Sequence, residues 1–322
     1  MKAKYVMIAV LATVLAGCSN DDENVVDNGP VAAQISAGVN AVTRAQDATW
    51  EADAIGVMVT GTTGSGIEKL YKNVKYNTTA TSSAPATFTA EGGAANGIFF
   101  QDATETVTFA AYAPYQASAA AKLPGTNGVI SGSTDNQNTR DKQKAFDFIY
   151  ASGATASRTS PAIQFQNDYP FMHKMTRLVI IVKTSAEHGF TAAQVTEGTY
   201  TLKGLNHTGT FNVTTGVAQA TGTPTDDAWS LSEKSLKTAN ETTQCTFTSI
   251  LYPQTLDKAL TFTATIDGKT YTNSTDINPA LTVTAGTSYE YTITVKKTGL
   301  TVSGCTITDW SKVTGIGDAT MQ

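Results

Sequence analysis

Short segments in which apolar and polar residues alternate recur along this chain. The clearest example is YEYTITVK at residues 289–296. A period of two places every second side chain on the same face of a strand. Threonine is abundant, 26 glycines are scattered along the chain, and long leucine-rich amphipathic patterns are absent. This pattern predicts an all-β protein whose short strands and frequent turns are typical of β-sandwiches.

The length of the chain indicates more than one domain. A chain of 322 residues exceeds what one small core usually supports and fits two domains of ordinary size. Pro170 interrupts the chain shortly before a nearly continuous apolar run at residues 175–182. We therefore predict one domain over residues 45–170 and a second over residues 171–322.

The first eighteen residues resemble a bacterial lipoprotein signal. A basic start is followed by an apolar stretch from Tyr5 to Leu15, and small residues precede Cys18. This stretch is shorter than the ~20 residues that a membrane-spanning helix needs, so it is predicted to be cleaved. Several acyl chains on Cys18 would form a stable anchor in the outer membrane. The alternative is an ordinary signal peptide followed by an incidental cysteine.

A predicted strand lies between this signal and the first domain. A polar, acidic tether begins at residue 19, and apolar residues then occupy alternate positions. The side chains predicted to face the core are Ile35, Ala37, Val39 and Ala41. The strand ends just before Arg44 and Ala45.

Sequence motifs for catalysis or cofactor binding are lacking. The three histidines, His173, His188 and His207, do not have metal-ligand spacing with one another or with Cys245 or Cys305. A formal net charge of −5 with 22 unclustered basic residues gives no basic surface for nucleic acid or for anionic lipid headgroups. We predict a protein that is not an enzyme, with no catalytic residue, metal or cofactor and no nucleic-acid partner, which contacts a membrane only through its lipid anchor.

Two cysteines remain after Cys18. Cys245 and Cys305 both lie in strand-like segments, and an exported protein is in a compartment that permits disulfides. Neighbouring strands would bring the two thiols within bridging distance. Free cysteines that pack as small apolar side chains are the alternative.

Several segments, taken in order, resemble the fimbrillin family of Bacteroidales, the lipoprotein pilins of type V fimbriae. The supporting segments are LAGC at 15–18, VTRA at 42–45, WEADAIGV at 50–57, FAAYAPY at 109–115, DFIYA at 147–151, FMHKMTRL at 171–178, LYPQ at 251–254 and ITDW at 307–310. The resemblance implies two tandem transthyretin-like Greek-key β-sandwich domains. It also implies that an arginine-specific protease cuts the bond between Arg44 and Ala45 and removes residues 19–44 together with the anchor.

Assembly by strand exchange is the function that this resemblance implies. Removal of the first strand would leave an apolar groove with unpaired backbone groups, which favours a replacement strand. The donor would come from about residues 300–322 of another pilin subunit, and the fimbria would support adhesion, with a host or bacterial surface receptor as a further partner. Without the resemblance, Arg44 is an exposed arginine after a permanent strand.

Two other functions stay open at this stage. One is a monomeric outer-surface lipoprotein that keeps residues 19–44 and binds a glycan or a host protein through its loops. The other is a surface hydrolase, which would need acidic or histidine side chains clustered in one cleft.

Overall fold

The computed structural model describes residues 29–38, 50, 53–63, 70–81, 85–102, 104–240, 244–257, 259–277 and 282–310. Strands dominate these ranges, which confirms the all-β prediction. The strands of the first half are β1 (Val31–Ala32), β2 (Gln34–Ala37), β3 (Ala54–Thr62), β4 (Val74–Asn77), β5 (Ala86–Ala90), β6 (Phe99–Phe100), β7 (Thr106–Ala113), β8 (Val129–Ser133), β9 (Ile149–Ser157), β10 (Ala162–Phe165) and β11 (Met172–His173).

The second half continues in the same style. Its strands are β12 (Thr176–Thr184), β13 (Thr199–Lys203), β14 (Thr208–Asn212), β15 (Val217–Ala220), β16 (Trp229–Ser230), β17 (Leu236–Asn240), β18 (Gln244–Leu251), β19 (Gln254–Thr255), β20 (Leu260–Ile266), β21 (Lys269–Ile277), β22 (Thr282–Val283), β23 (Thr287–Lys296) and β24 (Gly299–Asp309). The short helices are α1 (Arg140–Lys144), α2 (Ala192–Glu197) and α3 (Leu231–Lys234). Each begins after a Ser or Thr whose side chain accepts a backbone N–H bond, which stabilises a helix start.

An eight-stranded sheet forms the first unit, in the order β10-β2-β5-β4-β3-β7-β9-β11. Alternate side chains of its strands meet in one core, here called the first core. Phe88 of β5, Phe109 of β7 and Phe165 of β10 all belong to it. The pair formed by β1 and β6 adds Phe100 to the same core.

Two sheets form the second unit. One has the order β17-β18-β12-β23-β24 and the other the order β16-β13-β20-β21. Ile180, Phe247 and Ile293 from the five-stranded sheet pack with Tyr200 and Phe262 from the four-stranded sheet in the second core. The buried alternate residues of β23 include Tyr289, Tyr291, Ile293 and Val295, which confirms the inward face predicted from the alternating sequence.

A third apolar cluster, the junction core, joins the two units. β8 from the first half pairs with β14 from the second half in the sheet β15-β14-β8. Met58 and Tyr112 extend from the first unit into this cluster, where Phe211 and Tyr252 meet them. β3 and β7 are therefore buried on both faces, since neighbouring residues of each strand enter different cores.

The junction bears on the domain limits that the sequence predicted. Phe171 packs in the first core, and β11 pairs with β9 of the first unit. β8, in contrast, belongs to a sheet shared with the second half. The division into residues 45–170 and 171–322 stays a prediction, as do the two tandem transthyretin-like domains.

The structure contradicts a disulfide between Cys245 and Cys305. Both cysteines are free, Cys245 buried on β18 and Cys305 partly buried on β24. β12 and β23 lie between these two strands. With ~4.8 Å between neighbouring strands, three spacings separate the cysteines by about 14 Å, whereas bridged Cα atoms lie within about 7 Å. The structure thus has the free thiols that the sequence left as the alternative.

Protein lacking residues 1–18, purified without reductant, is expected to contain two free thiols. Burial raises the pKa of the thiols of Cys245 and Cys305, so both should react slowly with an alkylating reagent at neutral pH. Cys305 should react first because it is only partly buried, and Cys245 should require unfolding. Mass spectrometry after labelling in buffer and in urea tests this. A Cys305→Ser variant should lose the early label, and an unlabelled denatured chain would contradict the expectation.

Candidate functional site

Within the N-terminal segment at residues 31–38, β2 lies inside the eight-stranded sheet, whereas β1 pairs with β6. β2 pairs in parallel with β10, where Ile35 is opposite Ile163, and antiparallel with β5, where Ile35 is opposite Phe88. At the two ends of β2, the N–H of Gln34 donates to the carbonyl of Pro161 at 2.9 Å, and the N–H of Gly38 donates to that of Phe165 at 3.1 Å. β2 therefore bridges two strands.

The side chains of this segment fill the first core. Ile35 and Ala37 are buried, as is Ala33. Trp50 Nε1 donates to the carbonyl oxygen of Ala37 at 3.2 Å. The Trp50 ring meets Phe88 edge-on at 4.9 Å between ring centroids. Loss of β2 would therefore remove core side chains and leave the facing edges of β5 and β10 without a ladder partner.

The lipidation site, the cleavage site and the second half of the predicted N-terminal strand fall outside the ranges that the structure describes. Cys18, Val39, Ala41, Arg44 and Ala45 lie outside the described residues. Lipidation at Cys18 and cleavage at Arg44 stay predictions. The structure does place part of the predicted N-terminal strand between two partners rather than at an edge.

The C-terminal strand β24 is held on one side. It is the terminal strand of the five-stranded sheet, and its neighbour is β23. Leu300, Val302 and Cys305 face the second core but are only partly buried. Ile307, opposite the buried Tyr289, is 54% exposed. β24 is thus attached largely through its backbone ladder.

Trp310 anchors the end of β24 to the junction core. Its side chain is buried, and its backbone N–H donates to the carbonyl of Gly286 at 2.7 Å. The imidazole of His173 stacks on the indole, with ring centroids 3.7 Å apart and planes inclined by 13°. The guanidinium carbon of Arg177 lies 5.4 Å from the indole centroid, a distance at which a cation is attracted to the ring face.

An acidic residue completes this buried cluster. His173 Nδ1 lies 2.9 Å from Asp147 Oδ1, and both side chains are buried. Burial lowers the pKa of Arg177, while Asp147 and Glu290 act in the opposite direction. His173, for which the sequence predicts no role, links β11 of the first unit to the end of β24. The only signal was its position in the segment FMHKMTRL.

A polar cleft of about 480 Å³ opens beside His207. The ring of His207 lies 4.4 Å from that of Trp229, and its Nδ1 lies 3.3 Å from the hydroxyl of Thr134. Burial lowers the pKa of His207 to about 4; nearby Asp135 opposes this shift, and Lys234 adds to it. The neutral imidazole is thus the form that the fold stabilises.

This lowered pKa predicts acid sensitivity. Between the unfolded pKa of about 6.5 and the folded value of about 4, the unfolded chain binds more protons at His207, so stability is lost as the pH falls. Urea unfolding of the chain without residues 1–18 is measured at pH 7.5 and pH 4.5. Between these two values the free energy of unfolding should fall less for a His207→Gln variant than for the parent chain. The exposed His188, replaced by Gln, serves as the control and should behave like the parent. Equal losses in the parent and in His207→Gln would contradict this reading.

The described residues provide neither a metal-binding cluster nor a membrane-spanning helix. Within the ranges that the structure describes, no group of three or more His, Cys, Asp and Glu side chains could hold a metal ion. None of the helices in the same ranges has both the length and the apolar character needed to cross a bilayer.

Comparisons with known proteins agree on one family. The profile of the fimbrillin-like family matches residues 43–310. A candidate fimbrium subunit of Bacteroides uniformis, Fim1C, is 32% identical over 332 residues, covering 99% of this chain and 98% of the relative. The crystal structure of a candidate cell adhesion protein from Bacteroides ovatus has a TM-score of 0.68 at 25% identity, covering 90% of this chain and 100% of that one. A candidate cell adhesion protein from B. uniformis has a TM-score of 0.65 at 25% identity, with 88% and 99% covered.

Proposed function

Because this chain belongs to the fimbrillin-like family, we propose that it is a structural subunit of a bacterial surface fimbria that polymerises by strand exchange and supports adhesion. One observation carries this proposal. β2, supplied by residues that precede Arg44, occupies an interior position between β5 and β10. A cut after Arg44 would therefore free an interior strand and create an acceptor groove rather than trim an edge.

The proposed route begins at the outer membrane. Cys18 carries the lipid anchor, and an arginine-specific protease cuts between Arg44 and Ala45, which releases the subunit into the growing fimbria. Metabolic labelling with a fatty acid tests the anchor in cells, with Cys18→Ser as the unlabelled control. Equal labelling of both chains would overturn lipidation at Cys18.

The donor is proposed to be β24 together with the residues that follow it. In the folded subunit β24 is paired with β23, so it must detach before it can enter a neighbour. Detachment would break the ladder with β23 and withdraw Trp310 from the junction core, while β23 stays in place. The position of β24 at the end of a sheet and its half-buried apolar face favour this. An unpaired strand edge readily accepts or donates a strand.

Limited digestion tests the assembly. The chain that starts at residue 19 is treated with an arginine-specific protease, and a matched chain carries Arg44→Lys, which keeps the charge and removes the cleavage site. We expect a new terminus at Ala45 and, by gel filtration and electron microscopy, ladders or filaments from the parent chain alone. Clean cleavage at Arg44 with a persistent monomer would overturn strand exchange. Resistance at Arg44 with a persistent monomer would favour the anchored lipoprotein that keeps residues 19–44.

A further inference from the structure

An apolar pocket of about 320 Å³, open to solvent on one side, lies beside the N-terminal strand. Its lining includes Ala33, Ile35, Phe88, Ala90 and Gly97. We call this space the Ala33 cavity.

Strand pairing explains why this cavity exists. β2 pairs with β5 only from Ile35 to Ala37. The N–H of Ala33 instead donates to the carbonyl of Ile98 at 2.8 Å, and β1 continues by pairing with β6. The chain therefore diverges from the end of β5, and the side chains beside the gap, those of Ala33 and Ala90, are single methyl groups. The apolar side chains around this open pocket therefore keep surface in contact with water that a larger side chain at position 33 would bury.

At position 37 of β2 the core is already filled. Ala37 is fully buried, and its carbonyl accepts the bond from Trp50 Nε1. A strand in the place of β2 should therefore carry a side chain larger than alanine at position 33. It should carry a branched apolar side chain at position 35 and a small side chain at position 37.

β24 carries a matching pattern in the same chain direction. Leu300, Val302 and Gly304 are spaced in the sequence like Ala33, Ile35 and Ala37. In its own sheet β24 has a bulge at Gly304, because Tyr291 pairs with Cys305 and Thr292 with Ser303, and this bulge must straighten in the groove. Leu300 and Val302 are only partly buried in their own unit, so they have further apolar surface to bury elsewhere. A donor that runs in the direction of β2 would retain the parallel ladder with β10 and the antiparallel ladder with β5.

We propose that the Ala33 cavity is the seat for Leu300 of β24 from a second copy, with Val302 replacing Ile35 and Gly304 replacing Ala37. β2, the resident strand, leaves the cavity unfilled and therefore binds the groove less strongly than the incoming β24 would. This difference favours exchange toward the incoming strand. This inference rests on the proposed function and adds to it the register and the residue that favours the incoming strand.

Two substitutions in the resident strand test the cavity in the unprocessed monomer. Ala33→Leu should fill it and raise the melting temperature by about 2–4 °C, whereas Ala37→Leu, at a filled position, should lower it. This measurement requires no assembly, so it separates a failure of the cavity from a failure of strand exchange. Equal losses from both substitutions would overturn the proposal.

Assembly kinetics and cross-linking test the occupant. After cleavage at Arg44, Ala33→Leu should slow filament formation about fivefold, the factor that matches the expected rise in melting temperature, because the resident strand then competes better. An unchanged rate in a variant with a raised melting temperature would overturn the role of Leu300. In the proposed register Ser303 lies opposite Thr87, which pairs with Ser36 in the resident ladder.

A mixture of one copy with Thr87→Cys and another with Ser303→Cys should therefore form an intermolecular disulfide on assembly. The endogenous Cys245 and Cys305 are replaced by Ser in both copies. The matched control, Thr301→Cys mixed with Thr87→Cys, is two residues out of register and should cross-link much less. Equal cross-linking of both mixtures would overturn the register.

Discussion

A chain that begins at Ala45 is expected to lose a large part of its folding free energy. Truncation of a single buried Ile to Ala typically costs about 2–5 kcal/mol, against a total stability of about 5–15 kcal/mol. The shortened chain lacks Ile35 altogether, together with Ala33, Ala37 and both backbone ladders of β2. The first core is then open between β5 and β10.

Urea unfolding followed by tryptophan fluorescence measures this loss, because Trp50 lies in the first core, while Trp229 and Trp310 report on the second core and the junction core. A chain that begins at Gly29 keeps β1 and β2 and serves as the control. A peptide of residues 29–44, added in excess, should restore part of the lost stability, since a ligand that binds only the folded state stabilises it. A peptide of residues 299–322 should do the same if β24 is the donor. Equal unfolding midpoints for the two chains would show that the N-terminal strand is dispensable.

Replacement of Trp310 by Ala is expected to cost about 3–5 kcal/mol, the usual range for a large buried aromatic residue. The substitution removes the stack on His173 and the ring that faces Arg177. Trp310→Phe keeps an aromatic face for both partners and should cost less. Urea unfolding compares the two variants.

Hydrogen exchange gives a second readout for the same pair of variants. If Trp310 holds the end of β24 in place, the substitution Trp310→Ala should increase the exchange rates of the β24 amides. This increase should exceed that of the amides of β12, which lies inside the same sheet. Uniformly faster exchange throughout the second unit would indicate general destabilisation. Equal unfolding midpoints for the Ala and Phe variants would show that stacking at this position contributes nothing.

The junction core shows where reasoning from the sequence ends. The segment FAAYA at residues 109–113 is almost continuously apolar, and its alternation does not reveal which residue faces which core. In the structure Phe109 and Ala111 enter the first core, whereas Tyr112 enters the junction core. A strand that is covered on both faces has no polar face, so its sequence does not predict which side chains point to which core.

The cysteines and His173 show the same limit. Each cysteine is recognisable as part of a strand, yet two further strands lie between them in the sheet. His173 is 26 residues from Asp147 in sequence and much further from Trp310, and the three meet only when both units are folded.

The sequence by itself determined the strand-rich class and the inward faces of β23 and of the described part of the N-terminal strand. These properties depend on local periodicity and on short motifs, which neighbouring residues encode directly. The tertiary structure alone decided the strand order, the free thiols, the buried cluster at Trp310 and the Ala33 cavity. Each of these depends on contacts between segments far apart in the chain, and the pattern within one strand does not specify its neighbour.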